Sequence, residues 1–365
     1  MVVKRIESLH YLRGLAALMV VVGHAFYFPY DPNIQNVFFG SVQDPIFDLT
    51  DFFFELQIYA YLPPGIYPVS VFFLLSGFVM EFAMKDLKIQ RFLFGRVLRI
   101  FPVFWVAFLV HVAVIHHLGG DLPSWSDVLD NAFLISSWKI VGVSWTLIVE
   151  LRYYLIISVL AFFGVGAIGR AMALVSLAFI MPNAEGFWYG YMALGMLAFH
   201  LSKAMSAGDA KGVGIYLSAT FVAASVWWCL VGWRVDIFST HNVPIKWLVA
   251  AYGTFIASLL MSRFAKGVRT LQWLGDISYP LYVIHLATVP LGYYYLSGSL
   301  NLVTIATMLV AVNLPLAWLL HSFVEQPSLN LSRSVTGRVV RVPVVPEDLV
   351  KHHQHPSREG HWSAP

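Results

Sequence analysis

Arg13 and His24 bracket an apolar stretch, Arg-Gly-Leu-Ala-Ala-Leu-Met-Val-Val-Val-Gly-His. On an α-helix the eleven steps between them turn through about 1100°, so the two residues return to one stripe about 16 Å apart along the axis. An imidazole can take a proton or act as a nucleophile, and a guanidinium can grip an anion. Ionisable residues inside an apolar span point to function. The plainer alternative is that Arg13 snorkels to the membrane interface while His24 bonds a neighbouring helix. Their common face favours a site.

Four further stretches carry groups of this kind. Arg96 and Arg99 are three residues apart in Arg-Val-Leu-Arg-Ile-Phe-Pro and project from one helix face. Together they can grip a cluster of phosphates, or simply contact anionic lipid heads. Glu150 closes Ser-Trp-Thr-Leu-Ile-Val-Glu, which begins at Ser144. Its neighbour Arg152 is on another face, so Glu150 needs a partner on a second helix or a wet cavity. A carboxylate beside His24 would fix the imidazole tautomer for general-base work. Tyr279, Tyr282 and His285 form a three-residue-spaced polar stripe, able to line a cavity or bond between helices, with Pro280 expected to kink the helix or free a carbonyl. Ser76, in Phe-Phe-Leu-Leu-Ser-Gly-Phe, reads as a packing residue rather than a nucleophile, because no base is evident near it.

The motifs together resemble the acyltransferase-3 family of integral membrane proteins, which move acyl groups, usually acetyl, onto O-antigen, exopolysaccharide, Nod factor and other envelope glycans. The resemblance covers nearly the whole chain. It rests on an arginine, ten residues and a histidine in the first helix, Leu-Ser-Gly-Phe in the second, and the Arg96–Arg99 pair. It also rests on Ser-Trp-Ser-x-x-x-Glu, with Thr146 for the second serine, and on Leu-Gly-Asp-Ile-Ser-Tyr-Pro-Leu-Tyr-Val-Ile-His, ending at His285. It implies an acyl-CoA donor, a glycan or lipid-linked sugar acceptor, no permanently bound cofactor and no nucleic-acid partner.

These residues need a scaffold, and the composition says which. Of 365 residues, 58% are hydrophobic and only 12% charged, and the mean hydropathy is +0.70. That excludes an ordinary soluble enzyme and implies an all-α polytopic membrane protein. The aromatic content of 16%, with 12 Trp, suits interfacial belts. A single cysteine, Cys229, excludes an intrachain disulfide and a cysteine-based metal site, and no metal is expected. The first apolar run follows Lys4 and Arg5 but is long enough to span and lacks a small-residue cleavage site, so it reads as a helix rather than a signal peptide.

Ten spans are expected, at about 9–28, 67–84, 97–117, 144–163, 170–181, 187–201, 214–233, 245–261, 271–294 and 300–323. With both termini cytoplasmic, thirteen lysines and arginines plus the tail fall inside, while Lys139, Arg234 and Lys246 fall outside. Residues 1–325 then form one transmembrane domain, in the bacterial inner membrane if the resemblance holds. Residues 326–365 read as a disordered cytoplasmic tail whose histidines are solvated.

In this arrangement Arg13, Arg96 and Arg99 bind the donor near the cytoplasm. His24 and Glu150 act near the opposite face, with Trp145, Tyr279, Tyr282 and His285 contacting substrate. His24 is the general base and Glu150 orients it; a relay through acyl-histidine fits the same residues. The rival readings are a transporter of a glycan or small molecule, with no covalent step, and a structural subunit of a glycan-assembly complex. Transporters often show internal repeats, and none is evident in this chain.

Overall fold

The computed structural model describes residues 6–30, 38, 65–84, 89–120, 123–136, 139–180, 185–232, 243–263 and 267–336. Its helices are α1 (Glu7–Tyr27), α2 (Ile66–Met84), α3 (Ile89–His117), α4 (Trp125–Ala132), α5 (Ser144–Phe162), α6 (Ala167–Ile180), α7 (Glu185–Ser206), α8 (Ala210–Gly232), α9 (Val243–Leu260), α10 (Arg269–Asp276), α11 (Ser278–Leu296), α12 (Leu302–Leu320) and α13 (Gln326–Thr336). Among the described residues there is no strand. Most of the chain between the first two expected spans, and the histidines of the expected tail, lie outside them.

Six helical stretches are long and apolar enough to cross a membrane: α1, α2, α3, α5, most of α8, and the continuous stretch from α12 into α13. They leave large apolar side chains such as Leu109, Phe162 and Phe221 exposed, as lipid contact requires. α11 is not one of the six, for a physical reason. It is buried on nearly every face, from Pro280 to Pro290, so protein rather than lipid surrounds it and polar tips are tolerated there. α7 is likewise sheathed by protein through Phe187–Ala198.

Most expected boundaries agree to a few residues, and three differences matter. α3 begins at Ile89, so Arg91 and Arg96, which precede the expected third span, lie inside the helix together with Arg99. The ninth expected span is two helices broken at Ile277. Pro280 therefore occupies the first turn of α11, where a backbone N–H has no intrahelical partner, and the expected kink is not needed. The chain also does not become a tail at 326. α12 passes through a π-turn, His321–Glu325, into α13, which packs on α3.

Two close approaches set the helix arrangement. At Gly14 a Cβ would lie 2.6 Å from the nitrogen of Gly275, so only glycine lets α1 settle on the α10–α11 break. At Gly77 a Cβ would lie 2.0 Å from the carbonyl oxygen of Met192, which brings α2 against α7. α2 thus joins α1 to α7 and its neighbours α6 and α8, and α9 packs on both α2 and α1. On the connecting segment, Ser124 caps α4 by accepting from the N–H of Asp127 at 3.3 Å. Lys139 approaches the Asp127 carboxylate at 3.0 Å and, with the Ser124 hydroxyl, holds that carboxyl below its ordinary pKa.

Candidate active site

α1 carries His24 in its last turn, half-buried, and lies along α11, which carries fully buried His285. Nδ1 of His24 is 3.1 Å from Nε2 of His285 and also 3.1 Å from the carbonyl oxygen of Val20, one turn back on α1. A carbonyl can only accept, so Nδ1 bears the proton and shares it between Val20 and His285. The lone pair of the neutral ring is then on Nε2, as a general base requires. Behind His285, the Thr288 hydroxyl donates to the His285 carbonyl at 2.9 Å and accepts from Asn313 of α12 at 2.6 Å. This ties the turn of α11 that carries the ring to its neighbour.

The expected bond between Glu150 and His24 is not formed. Glu150 Oε1 accepts from the Ser76 hydroxyl at 2.9 Å and from the Tyr154 hydroxyl. The reason lies on α5. Thr146, Glu150 and Tyr154 are four residues apart and share a face, each about 6 Å further along the axis. Thr146 meets the Tyr282 hydroxyl at 2.8 Å, while the Arg96 guanidinium lies 5.5 Å from the ring centroid of Tyr154. Glu150 sits between these levels, bonded to Ser76 and Tyr154 rather than to the imidazole. Ser76, read as packing, is also a donor to it; the packing role belongs to the adjacent Gly77.

At the far end, Arg96 is buried against the rings of Phe92 and Tyr154, a cation–π setting. Arg99 is half-buried and, among the described residues, makes no hydrogen bond or ion pair. Tyr279 donates to the carbonyl of Ile100 at 2.6 Å and so fixes α11 to α3 beside Arg99. From Tyr279 to His285 the rise is about 9 Å. Arg13 takes a different position from the one expected with the donor. Its Nη2 donates to the carbonyl of Gly275 at 2.8 Å, which also accepts from the Ser278 hydroxyl, so Arg13 ties α1 to the α10–α11 break. Trp145 is half-buried in an aromatic group with Phe73 and Trp188, at ring-centroid distances of 6.3 and 5.4 Å.

The stripe on α11 therefore does not face one cavity: Tyr279 bonds α3, Tyr282 bonds α5 and His285 bonds α1. Three other polar groups escaped sequence reasoning. Buried His111 lies on α3. Buried Glu325 bonds His321 at 2.6 Å within the π-turn. Glu81 of α2 bonds Arg170 of α6 and His200 of α7, at 2.6 and 2.7 Å. Each of the three contributes an ionisable residue to an apolar segment, the same signal that drew attention to His24. Their partners are far apart in sequence and give no local pattern. Among the described residues no group of three His, Cys, Asp or Glu side chains is placed to hold a metal ion.

A family model described as an acyltransferase domain matches residues 6–322. The chain is also similar to "Acyltransferase MdmB" of Streptomyces mycarofaciens, 27% identical over 394 residues, covering 90% of this chain and 93% of that protein. No solved structure matches the chain.

Proposed function

Because the chain belongs to the acyltransferase family whose model spans residues 6–322, we propose that this membrane acyltransferase moves an acyl group, acetyl from acetyl-CoA, across the membrane onto a hydroxyl of a cell-envelope glycan or a related acceptor. Ten membrane helices with both termini cytoplasmic carry the site, in the bacterial inner membrane. The observation that carries the reading is the proton arrangement at His24: Nδ1–H held by the Val20 carbonyl and His285, Nε2 with its lone pair.

Nε2 of His24 takes the proton of the acceptor hydroxyl as its oxygen attacks the thioester carbonyl carbon. The C–S bond breaks, and the coenzyme A thiolate leaves with the proton from Nε2. The products are the O-acyl ester and free thiol, so protons balance without an outside acid. His285 spreads the transient charge by accepting from Nδ1–H. A positioned base of this kind is worth about 100-fold or more in rate.

The donor's phosphates lie against Arg96 and Arg99, whose planar forks match them. Its pantetheine arm then runs past the Ser76–Glu150–Tyr154 face towards His24, about 9 Å beyond the level of Tyr279. Glu150 balances the charge of Arg96 along that path and keeps it polar. Arg13 acts by fixing the helix break rather than by touching the donor, and Trp145 and Tyr282 line the route to the acceptor.

Oriented vesicles test this. Labelled acetyl-CoA supplied only on the face bearing the termini should place label on a glycan at the opposite face. Label that appears only when donor and acceptor share one compartment would overturn transfer across the membrane. Movement of unmodified glycan without label would favour a transporter instead.

A further inference from the structure

The chain that leads from α3 to α5 bonds the middles of both helices rather than their ends. Trp105 lies twelve residues before the last residue of α3, about 18 Å along the axis, and its Nε1 donates to the carbonyl of Ala132 at 2.9 Å. Arg152 lies eight residues into α5, about 12 Å from its start, and its Nη2 donates to the carbonyl of Ile135 at 2.8 Å. The start of α5 is itself deep in the bundle, since Thr146 meets the hydroxyl of Tyr282, three residues before His285. Both α3 and α5 are long and apolar enough to cross a membrane. Residues 132–135 therefore lie within its thickness, even allowing for the reach of an indole and a guanidinium.

Non-helical backbone is tolerated at that depth only where protein shields it or water lines it. Buried Asn131 ties this stretch down: it accepts from the N–H of Val141 at 3.0 Å and donates to the Ser144 hydroxyl at 2.8 Å. The N–H of Ile135 donates to the Asp130 carbonyl at 2.8 Å. Leu134 turns at φ 54°, an unfavourable conformation for leucine that the surrounding bonds hold in place.

α4 presents three faces. Val128, Asn131 and Ala132 turn to the core. Trp125, Leu129 and Phe133, four residues apart, form a stripe that is 83, 55 and 54% exposed. Ser126, Asp127 and Asp130 form the third face, where Ser136 donates to Asp130 at 2.7 Å and Lys139 to Asp127 at 3.0 Å. The Lys139 side chain is 63% exposed, and a charge in that position is costly against hydrocarbon, so water must reach this face. The apolar stripe continues onto exposed Trp105, Leu109 and Val110 of α3, and the Trp105–Ala132 bond joins the two surfaces. An apolar stripe beside a charged face is the pattern of a helix at the boundary between lipid and water.

We propose that α4 is a re-entrant helix that docks on lipid. Trp125, Leu129 and Phe133 seat among the acyl chains of the leaflet at the His117 end of α3. Asp127, Asp130, Ser136 and Lys139 keep a wedge of water open beside them. The partner is the leaflet rather than a protein because the stripe runs on into the lipid-facing surface of α3. The contact is linked to the site through Asn131, which holds the first residue of α5 two residues before Thr146 meets Tyr282.

The test uses the full chain with Cys229→Ser in lipid nanodiscs, spin-labelled at one introduced cysteine: Leu129→Cys, Phe133→Cys, Ser136→Cys or, as the lipid reference, Leu109→Cys. Power-saturation EPR reads collision with oxygen, which partitions into lipid, and with a water-soluble nickel chelate. Labels at 129 and 133 should favour oxygen as strongly as the label at 109, and the label at 136 should favour nickel. Labels at 129 and 133 that favour nickel would make α4 a solvated loop, and labels shielded from both probes would mean that a second copy or another protein covers the stripe. Either result overturns the docking on lipid, and exclusion of nickel at 136 overturns the water-filled flank. The wild-type chain supplies a check without substitutions. A phosphatidylcholine with a diazirine near the end of its acyl chain should leave adducts within residues 125–135 as well as on α3. Adducts on α3 alone would overturn the contact.

Discussion

Two polar clusters are buried in this bundle, and they are built differently. Glu81, Arg170 and His200 join α2, α6 and α7. One guanidinium nitrogen of Arg170 reaches both oxygens of Glu81, at 2.7 and 2.6 Å, and His200 adds a third bond. That cluster pairs a cation with an anion and turns inward. In the group of α1, α3 and α11 the described partners of the imidazoles are backbone carbonyls, Val20 for His24 and Ala107 for His111, and a second imidazole, His285 for His24. A buried charge that finds its opposite holds helices together, while an imidazole whose proton rests on a backbone carbonyl keeps a ring lone pair for chemistry.

Substitutions can break that contrast, and the largest effect should come from the ion cluster. Arg170→Met leaves Glu81 buried without its cation and should cost about 3–5 kcal/mol of stability. Thermal unfolding in detergent measures it, and adding Glu81→Leu should recover much of the loss. Transfer per folded molecule should remain close to normal. A specific loss of turnover with stability intact would mean that this cluster, too, takes part in chemistry.

His24→Ala should do the reverse. Turnover should fall about 100-fold or more, near 2.7 kcal/mol in barrier, with little change in melting temperature. Near-normal turnover in a well-folded variant would remove His24 from the chemistry.

Arg96→Ala and Arg99→Ala should each weaken coenzyme A binding by about tenfold, or 1.4 kcal/mol, and leave the acceptor KM unchanged. Lysine should rescue Arg99 better than Arg96, because Arg96 is stacked between rings that favour a planar cation. Titration with coenzyme A distinguishes this from lipid contact, for which donor affinity would not move.

The smallest effect is expected at Ser76→Ala. It removes one of two bonds to Glu150, worth about 1 kcal/mol, and should slow transfer only a few-fold. A loss as large as that of His24→Ala would place the Ser76 hydroxyl at the reacting atoms.

Hydropathy and spacing were enough to read an all-helical membrane protein, and the Arg13-to-His24 stripe was legible because helical periodicity is a property of one segment. For the same reason the positions of Arg96 and Arg99 on one face could be read from a spacing of three. Pairings between segments could not. The expected topology put Glu150 at a depth that suits His24, yet α5 is rotated so that Glu150 meets Ser76 of α2, with Tyr154 on its own helix face as a second donor. The partner of His24 proved to be His285, which the sequence had placed on a stripe without saying which helix each member would meet.

What the sequence determined by itself is what local chemistry and period control: where the apolar runs lie, which ionisable residues interrupt them, and which of those share a helix face. The tertiary structure alone decided the rest. The break at Ile277 lets Arg13 reach the Gly275 carbonyl, the π-turn carries the last long helix past 326, and the packing of α3 on α11 lets Tyr279 bond the Ile100 carbonyl. Each depends on the rotation of one helix about its axis relative to another. That rotation is fixed by close contacts such as Gly14 on Gly275 and Gly77 on Met192, between residues too far apart along the chain for any periodic pattern to connect them.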